Sequence, residues 1–253
     1  MANDNRTSDK RRGFLKQVAT LAGAAPLGAR TLGTAGVAVV ATAPARDARA
    51  AESPAAAAPF YGYQFLGPQD AAFVEALVNV MCPADQYSPN GVDCGLANYI
   101  DRQLAGAFGQ GEGRYMRGPW KQGKPQLGYQ LPLTPGQFFS AGLAAAGDAC
   151  RKKYGKSFDQ LPPADADAFL GDVQGGKYTD PRVPLASWFN DLVYPRFVQA
   201  CFADPMYGGN NNKVFWKMVG YPGLPATHTL DMVQYRGKPY PGAKDPKSIV
   251  DFS

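Results

Sequence analysis

The chain has 253 residues, 45% of them hydrophobic, with one histidine and a formal net charge of +5. Residues 1–50 hold eight of the 26 Lys and Arg residues and three of the 21 Asp and Glu residues, so residues 51–253 carry 18 charges of each sign. Because the positive charge belongs to the first fifty residues, the remainder of the chain offers no basic excess for a nucleic-acid partner. We expect no nucleic-acid binding.

The first fifty residues have the features of an export signal. A Lys-Arg-Arg-Gly-Phe-Leu-Lys motif precedes a weakly apolar stretch, residues 18–45, that is interrupted by Arg30. This arrangement resembles a twin-arginine (Tat) signal, and a charge in mid-stretch disfavours a stable membrane span. The alternative is a disordered basic tail. The motif residues are Arg11, Arg12, Phe14, Leu15 and Lys16.

Small residues around position 50 predict where such a signal would be removed. Ala48 and Ala50 suit cleavage after Ala50, and Ala43-Pro44-Ala45 offers an alternative site. We therefore predict a Tat signal peptide over 1–50, an Ala/Pro linker over 51–59, and a single helical domain over 60–253. Its product would be delivered in the folded state by the Tat translocase to the periplasm.

The pattern of apolar residues predicts a mainly α, irregular helical domain with long Pro/Gly-rich loops and an extended C-terminal tail. Apolar side chains recur at helical spacing in five segments. Thr134-Pro135 has the composition of a helix start, and Pro195 should kink or break the last helix. The predicted helices span 69–81, 95–107, 134–153, 164–170 and 184–198.

Two segments lack helical periodicity and are rich in aromatic residues. Residues 109–133 contain six Gly and three Pro, and the tail begins near residue 204. Long irregular segments are uncommon in small domains, and aromatic side chains order them only by packing against a surface. That surface is either the domain's own helices or a partner.

Four cysteines, Cys82, Cys94, Cys150 and Cys201, follow the leader and would meet an oxidising compartment. Pro and Gly residues between Cys82 and Cys94 allow the chain to double back there. We therefore predict a disulfide between these two cysteines, with Cys150 and Cys201 as the complementary pair, among three pairings that remain open. The spacing does not suit a metal site, and none is expected.

No catalytic motif emerges from the residues after the leader. His228 is the single histidine and has no partner motif, so we interpret it as an imidazole that lies on the surface or packs within the tail. Residues 208–213 lack a phosphate-loop pattern and are predicted to form a turn of Gly and Asn residues. Asp70, Glu75 and Asp101 are expected on solvated helix faces. We expect no catalytic, cofactor or metal site in this chain.

Four segments of unusual composition resemble the gluconate 2-dehydrogenase subunit 3 family, the small subunit of membrane-bound flavin-dependent sugar and sugar-acid dehydrogenases. The similarity runs from about Phe60 to Gly223. One departure is Asn211-Asn212, where the family more often has Arg-Asp. The segments are YIDRQLAGAFG (99–109), YMRGPW (115–120), GYQLPLTP (128–135) and DPMYGGNNNKVFWKMVGYPG (204–223).

The resemblance implies a complex of three parts at the outer face of the inner membrane. A large FAD-dependent (GMC-type) dehydrogenase subunit would oxidise the sugar or sugar acid, and a multihaem cytochrome c would pass electrons to quinone. The small subunit would carry no cofactor, and it would escort the large subunit through the Tat pathway and stabilise it. Two alternatives are a subunit that contributes residues to the active site or electron path, and a stand-alone periplasmic binding protein.

Aromatic and methionine side chains in the two irregular segments are the predicted contacts with the large subunit, because such residues anchor protein interfaces. The alternative is that they pack against the domain's own helices. The predicted contact residues are Tyr115, Met116, Trp120, Tyr129, Trp216 and Tyr221.

Overall fold

A computed structural model of the chain describes residues 62–121, 123–124 and 127–252. The predicted Tat signal, its cleavage site and the linker lie outside these residues. The described residues are helical and contain no strand, which confirms the predicted mainly α class. The helices are α1 Pro68–Met81, α2 Leu96–Ala105, α3 Ala107–Gln110, α4 Pro135–Tyr154, α5 Pro163–Gln174, α6 Leu185–Ser187, a π-helix Trp188–Val193, α7 Tyr194–Phe202, α8 Val214–Val219 and α9 Thr229–Gln234.

Short 3₁₀ turns connect these helices and make up much of the tail. They span Phe158–Gln160, Pro205–Tyr207, Asn211–Lys213, Pro225–Thr227, Pro241–Lys244 and Ile249–Phe252.

Aromatic side chains fill the core between α1, α4, α5 and the helical run from Leu185 to Phe202. Phe158 lies between two helices, with its ring centroid 4.5 Å from that of Phe73 and 5.7 Å from that of Phe169. Trp188 is fully buried and donates its indole N–H to the carbonyl of Phe139 at 3.2 Å. The buried indole is therefore both packed and hydrogen-bonded, as a stable core requires.

Helix α4 begins and ends where the sequence predicts. The Thr134 side chain accepts from the Gln137 backbone, and the Gln137 side chain accepts from the Thr134 backbone, so both groups form a capping box. Gly155 follows the helix with φ 69°, a left-handed conformation that glycine adopts without strain. The composition of these termini therefore determined the helix bounds closely.

The proline in the last long helix, where a kink or break was predicted, does not end the helix. Pro195 is the second residue of α7 and follows directly after a change of helix type. The preceding residues, Trp188–Val193, form a π-helix whose wider turn runs without interruption into α7. The helical run therefore continues to Phe202, and α5 is also longer than predicted.

Asp101 is buried, so the predicted solvated position was wrong. Its side chain is 2% exposed, and its carboxylate accepts three backbone N–H groups, from Gln64, Phe65 and Leu66, at 2.8 to 2.9 Å. These amides precede α1 and have no other acceptor in a helix or sheet. Helical periodicity alone could not reveal an acceptor that is required by a segment 35 residues earlier in the chain.

Asp101→Ala should lower the free energy of unfolding by about 3 kcal/mol, because it leaves buried backbone donors without an acceptor. Asp101→Asn, which keeps one carbonyl acceptor, should cost less. Thr134→Ala is the control for an ordinary helix cap and should cost about 1 kcal/mol. Urea unfolding followed by circular dichroism measures all three. Equal losses for Asp101→Ala and Thr134→Ala would contradict the role of Asp101.

Two glycines within helices, Gly142 on α4 and Gly171 on α5, allow a controlled test of how closely α4 packs against Trp188. A Cβ at Gly142 would lie 2.1 Å from the ring of Trp188, whereas a Cβ at Gly171 would meet nothing within 4 Å. Gly142→Ala should therefore destabilise the protein by about 1–3 kcal/mol through overpacking. Gly171→Ala should stabilise it by about 0.5–1 kcal/mol through helix propensity. Thermal unfolding distinguishes the two, and a shift of the same sign for both would contradict the α4–Trp188 contact.

Candidate functional site

Four of the six predicted contact residues line one open hollow in the irregular segment between α3 and α4. We call it the loop hollow, and its volume is about 270 Å³. Its lining combines aromatic rings with one guanidinium. The lining residues are Arg114, Tyr115, Met116, Trp120, Tyr129, Gln130 and Leu131.

Tyr129 forms the floor of the loop hollow. It is 7% exposed, its ring centroid lies 4.1 Å from that of Phe138 on α4, and its hydroxyl donates to the Leu133 carbonyl at 3.4 Å. The guanidinium carbon of Arg114 lies 4.4 Å from the centroid of the Tyr129 ring. Burial raises the pKa of Tyr129, and the Arg114 charge opposes that shift. The floor is therefore ordered by the chain's own residues, through a cation–π contact with Arg114 and ring packing against Phe138.

The rim of the loop hollow faces solvent. Tyr115 is 79% exposed, whereas Met116 and Trp120 are half-buried. Leu127, in the same irregular segment, is 64% exposed. Exposed aromatic side chains beside an ordered floor are typical of surfaces that bind another protein. The loop hollow thus has an ordered floor and an apolar rim that is exposed to solvent.

The remaining two predicted residues, Trp216 and Tyr221, line a second and larger hollow on the tail. We call it the tail groove, and its volume is about 480 Å³. Its lining is mostly apolar. The lining residues are Phe202, Asp204, Trp216, Val219, Tyr221, Leu224 and Ile249.

Trp216 forms the floor of the tail groove. It is 4% exposed, and its indole N–H donates to the carbonyl of Phe202 at the end of α7, at 2.8 Å. The ring of Tyr221 meets it edge-on, with centroids 5.1 Å apart. Burial is the main cause that raises the pKa of Tyr221, followed by the nearby Asp204 carboxylate. Trp216 therefore fixes the tail to the helical core.

The tail from α8 onward is rich in exposed apolar side chains, two of which, Val219 and Ile249, line the tail groove. Two lie on α8, three lie on α9 and three lie on the last 3₁₀ turn. Their exposed fractions range from 41% for Met218 to 81% for Leu230. The residues are Met218, Val219, Leu230, Met232, Val233, Ile249, Val250 and Phe252.

Hydrogen bonds of Lys213 and Asp251, which we call the polar anchor, hold the last 3₁₀ turn, Ile249–Phe252, in place. The Lys213 ammonium contacts the Asp251 carboxylate at 2.5 Å and donates to the Pro246 carbonyl at 2.9 Å. Asp251 also accepts from the backbone N–H of Ser248, a fully buried residue. The hydrogen bond from Lys213 is the first cause that lowers the pKa of Asp251, followed by the backbone N–H of Ser248. The apolar turn is therefore held by contacts that do not involve its own exposed side chains.

The turn predicted at residues 208–213 joins the tail to the core. Asn210 is fully buried, its amide group donates to the Ala203 carbonyl at 3.2 Å, and its side-chain oxygen accepts from the Phe215 backbone at 3.0 Å. Asn210, Asn212 and Lys213 have φ values of 48–57°. Asn tolerates this left-handed region better than most residues, which explains part of the unusual composition.

The sequence thus identified the two surfaces but not all their members. Tyr129 and Trp216 pack against the chain's own residues, so they support the hollows rather than offer exposed area. Sequence reasoning missed Arg114 in the loop and the apolar residues of α9 and the last turn. The sequence did contain a signal for these residues. Apolar side chains occur in residues 229–252 without the spacing of an amphipathic helix, and such side chains seldom build a core.

All four cysteines are buried free thiols in the structure, so neither predicted disulfide is formed in it. The Sγ atoms of Cys82 and Cys94, the first predicted pair, lie 3.9 and 3.6 Å from the Pro89 carbonyl oxygen. Cys201 lies within electrostatic range of both thiols. The Cys150 thiol donates to the Lys156 carbonyl at 3.6 Å.

The other candidate groups have structural partners. His228 contacts the Asp231 carboxylate through Nδ1 at 2.8 Å and packs edge-on against Tyr240, as the tail-packing interpretation predicted. Within the described ranges, no group of three or more His, Cys, Asp or Glu side chains is placed to hold a metal ion. None of the helices described has the length and apolar character that a membrane span requires.

Comparison with known families gives one match. Residues 68–223 match the model of the family described as gluconate 2-dehydrogenase subunit 3. The four segments that carried the resemblance all lie within this range, which ends at Gly223. No curated protein and no solved structure matches the chain. Helix α9 and the last 3₁₀ turn lie beyond the matched residues.

Lys213→Gln should release the last turn at neutral pH. Hydrogen exchange of the amides of residues 248–251 should accelerate, while exchange in α4 should not change. Lys247→Gln is the control, because Lys247 pairs with Asp245 in an exposed position where an ion pair contributes little. Equal effects of the two substitutions would contradict the anchor.

Acid should have the same effect as Lys213→Gln on the wild-type protein. Because the folded pKa of Asp251 is lowered, its stabilisation is complete above the unfolded value of about 3.9 and is lost as the pH falls through the folded value. Exchange of residues 248–251, corrected for the intrinsic pH dependence, should accelerate below about pH 4 in the wild type. In Lys213→Gln the acceleration should be smaller, because Asp251 has already lost its main partner.

Proposed function

Because the chain belongs to the gluconate 2-dehydrogenase subunit 3 family, we propose that it is the non-catalytic small subunit of a membrane-bound FAD-dependent dehydrogenase. In this proposal it binds the large flavoprotein subunit, stabilises it and brings it through the Tat pathway to the periplasmic face of the inner membrane. The large subunit would oxidise a sugar or sugar acid, and a multihaem cytochrome c would carry the electrons to quinone.

The distribution of exposed apolar side chains is the observation that supports this proposal most. Within the described residues, the large exposed hydrophobic side chains lie in the segment between α3 and α4 or in the tail, with Tyr87 as the one exception. Monomeric soluble proteins seldom expose contiguous apolar area unless a partner covers it. These two segments are therefore the surface that we assign to the large subunit.

Both hollows are ordered in the free chain, and this favours a stable complex with a partner over a transient one. Both hollows have buried aromatic floors that are fixed to the helices: Tyr129 packs against Phe138 on α4, and the Trp216 indole donates to the Phe202 carbonyl at the end of α7. A surface that is fixed before binding loses less conformational entropy on association. Exposed Tyr115 and half-buried Trp120 are the residue types that contribute most to interface affinity.

The leader supports the export part of the proposal. A Tat signal carries folded proteins, and a flavoprotein must fold around its cofactor before it crosses the membrane. A partner without a signal of its own would need to bind a chain that has one. The paired Arg11 and Arg12 in this chain would then serve both subunits.

The alternative of a stand-alone periplasmic binding protein requires an enclosed pocket and no exposed aromatic surface. Both hollows are open to solvent, and Tyr115 and Phe252 are more than 70% exposed. Small ligands usually bind in concave sites that bury most of their surface. These observations favour a protein partner over a small ligand.

Replacing Arg11 and Arg12 together by lysine should keep both subunits in the cytoplasm. Co-expression with the large subunit, followed by fractionation and measurement of FAD and dehydrogenase activity, tests this expectation. Arg30→Lys, which lies in the leader but outside the motif, is the control and should leave periplasmic activity unchanged. Periplasmic flavoprotein at the wild-type level in the Arg11/Arg12 variant would contradict the escort function.

Tyr115→Ala and Trp120→Ala, made together, should weaken binding to the large subunit by about tenfold or more, because both remove apolar contact area at the rim of the loop hollow. Tyr87→Ala is the matched control, because Tyr87 is an exposed tyrosine outside both irregular segments. Affinity measured by titration of the purified large subunit gives the result. A loss of turnover in complexes that form with normal affinity would instead favour the alternative in which this chain contributes to the active site.

A further inference from the structure

The loop between α1 and α2 brings two thiols together at one carbonyl. Cys82 follows α1 and Cys94 precedes α2, and their Sγ atoms lie 3.9 and 3.6 Å from the same Pro89 oxygen. Backbone hydrogen bonds close the loop, from Gly91 to the Cys82 carbonyl and from Cys94 to the Asn90 carbonyl. The two sulfur atoms are therefore held by the backbone of a short turn and not by their side chains alone.

We propose that Cys82 and Cys94 form an oxidation site that becomes an intramolecular disulfide when the protein meets an oxidising disulfide, and that Cys150 and Cys201 remain thiols. The Cys82 thiolate attacks one sulfur of an external disulfide, forms a mixed disulfide and releases one thiol. The Cys94 thiolate then attacks the Cys82 sulfur of that mixed disulfide and releases the second external thiol. One external disulfide is thereby reduced to two thiols, and two protons leave the protein.

Accessibility and charge both favour Cys82 as the first sulfur to react. Cys82 is 8% exposed, whereas Cys94, Cys150 and Cys201 are 1%, 0% and 3% exposed. The residues that follow Cys82 in the chain, 83–87, form an exposed loop without regular structure. The hydrogen bond from the Cys94 thiol lowers the pKa of Cys82, and burial raises the pKa of Cys201. Thiolate character and access are the two requirements for disulfide exchange.

Cys201 is the competing partner, and the geometry disfavours it. It lies on α7, within electrostatic range of both Cys82 and Cys94. The Sγ atoms of Cys82 and Cys94, by contrast, lie 3.9 and 3.6 Å from one carbonyl oxygen, that of Pro89. Cys94 also returns to Cys82 through a turn that the backbone already closes. The proposal therefore specifies one of three pairings within this group, and Cys150 lies outside it because its thiol bonds to the Lys156 carbonyl.

Oxidation should also fix the place where the tail joins the core. The Asn211 backbone donates to the Cys94 carbonyl at 3.0 Å, and the Asn211 side chain donates to the Asp93 carbonyl at 2.9 Å. Gly95 packs against the same segment, where a Cβ would lie 2.3 Å from the Gly208 carbonyl oxygen. A covalent bond at Cys94 would therefore hold the residues to which the tail is attached.

Mass spectrometry after alkylation of unfolded protein tests the pairing. Cys82 and Cys94 occur in one tryptic peptide, because no Lys or Arg lies between Arg49 and Arg102. In the oxidised protein this peptide should carry no alkyl group, and cleavage after Tyr87 should give two fragments that separate only on reduction. Leaderless protein treated with oxidised glutathione and protein recovered from the periplasm should give the same result.

These two samples distinguish failure of the site from failure of export. Four alkylated cysteines in the glutathione-treated protein, or a bond from Cys201 to Cys82 or Cys94, would overturn the proposal. A bond that forms with glutathione but not in cells would leave the site intact and count against periplasmic delivery. Cys150→Ser is the control variant and should retain the bond, whereas Cys82→Ser should abolish it.

A second readout tests the structural consequence without depending on activity. Oxidised protein should unfold at a temperature about 5 °C or more above that of reduced protein, because the bond restrains the unfolded chain. Exchange of the Asn211 amide should slow on oxidation in the wild type and in Cys150→Ser. No change in either quantity, in a sample shown to be oxidised, would contradict the link between this site and the tail.

Discussion

The junction between the helical core and the tail centres on Asn210, whose side chain is fully buried. Its amide group donates to the Ala203 carbonyl at the end of α7, and its side-chain oxygen accepts from the Phe215 backbone at the start of α8. Bonds on either side of this junction hold the tail further, among them the Asn211 backbone on the Cys94 carbonyl, the Trp216 indole on the Phe202 carbonyl and the Lys213 ammonium on Asp251. Without such anchors, ordering the tail would cost about 1–2 kcal/mol per residue with no core of its own to offset it.

In the loop and the tail, different side chains hold the segment in place and offer apolar area for binding. Buried and polar groups hold the loop and the tail, while large apolar groups such as Tyr115, Leu230 and Phe252 remain exposed. The exposed groups contribute little to the stability of the isolated chain, because their apolar area stays in water. Their contribution must come from association, which is why we assign the two segments to a partner and not to the core.

The sequence predicted the long helices well because their determinants are local. The apolar spacing of α1 and α4, and the Thr134 and Gly155 termini of α4, lie within the segments that they define. The failures concern contacts between distant segments. Asp101 accepts from amides of residues 64–66, and Pro195 is accommodated by a π-helix in the preceding turn. Cys201 comes within electrostatic range of Cys82 and Cys94 because α7 packs on α2, and no spacing in the sequence encodes that packing. The candidate surfaces were recognised by composition, but their floors and rims required the fold.

The central claim is that the loop hollow and the tail groove are the surfaces that bind the large flavoprotein subunit. Hydrogen exchange of this chain, measured alone and in the purified complex, tests that claim most directly. We expect slower exchange on complex formation in residues 111–131 and 214–252, and no change in the exposed loop at residues 83–87. Protection confined to residues outside these two segments, or no protection in a complex that is shown to form, would contradict it.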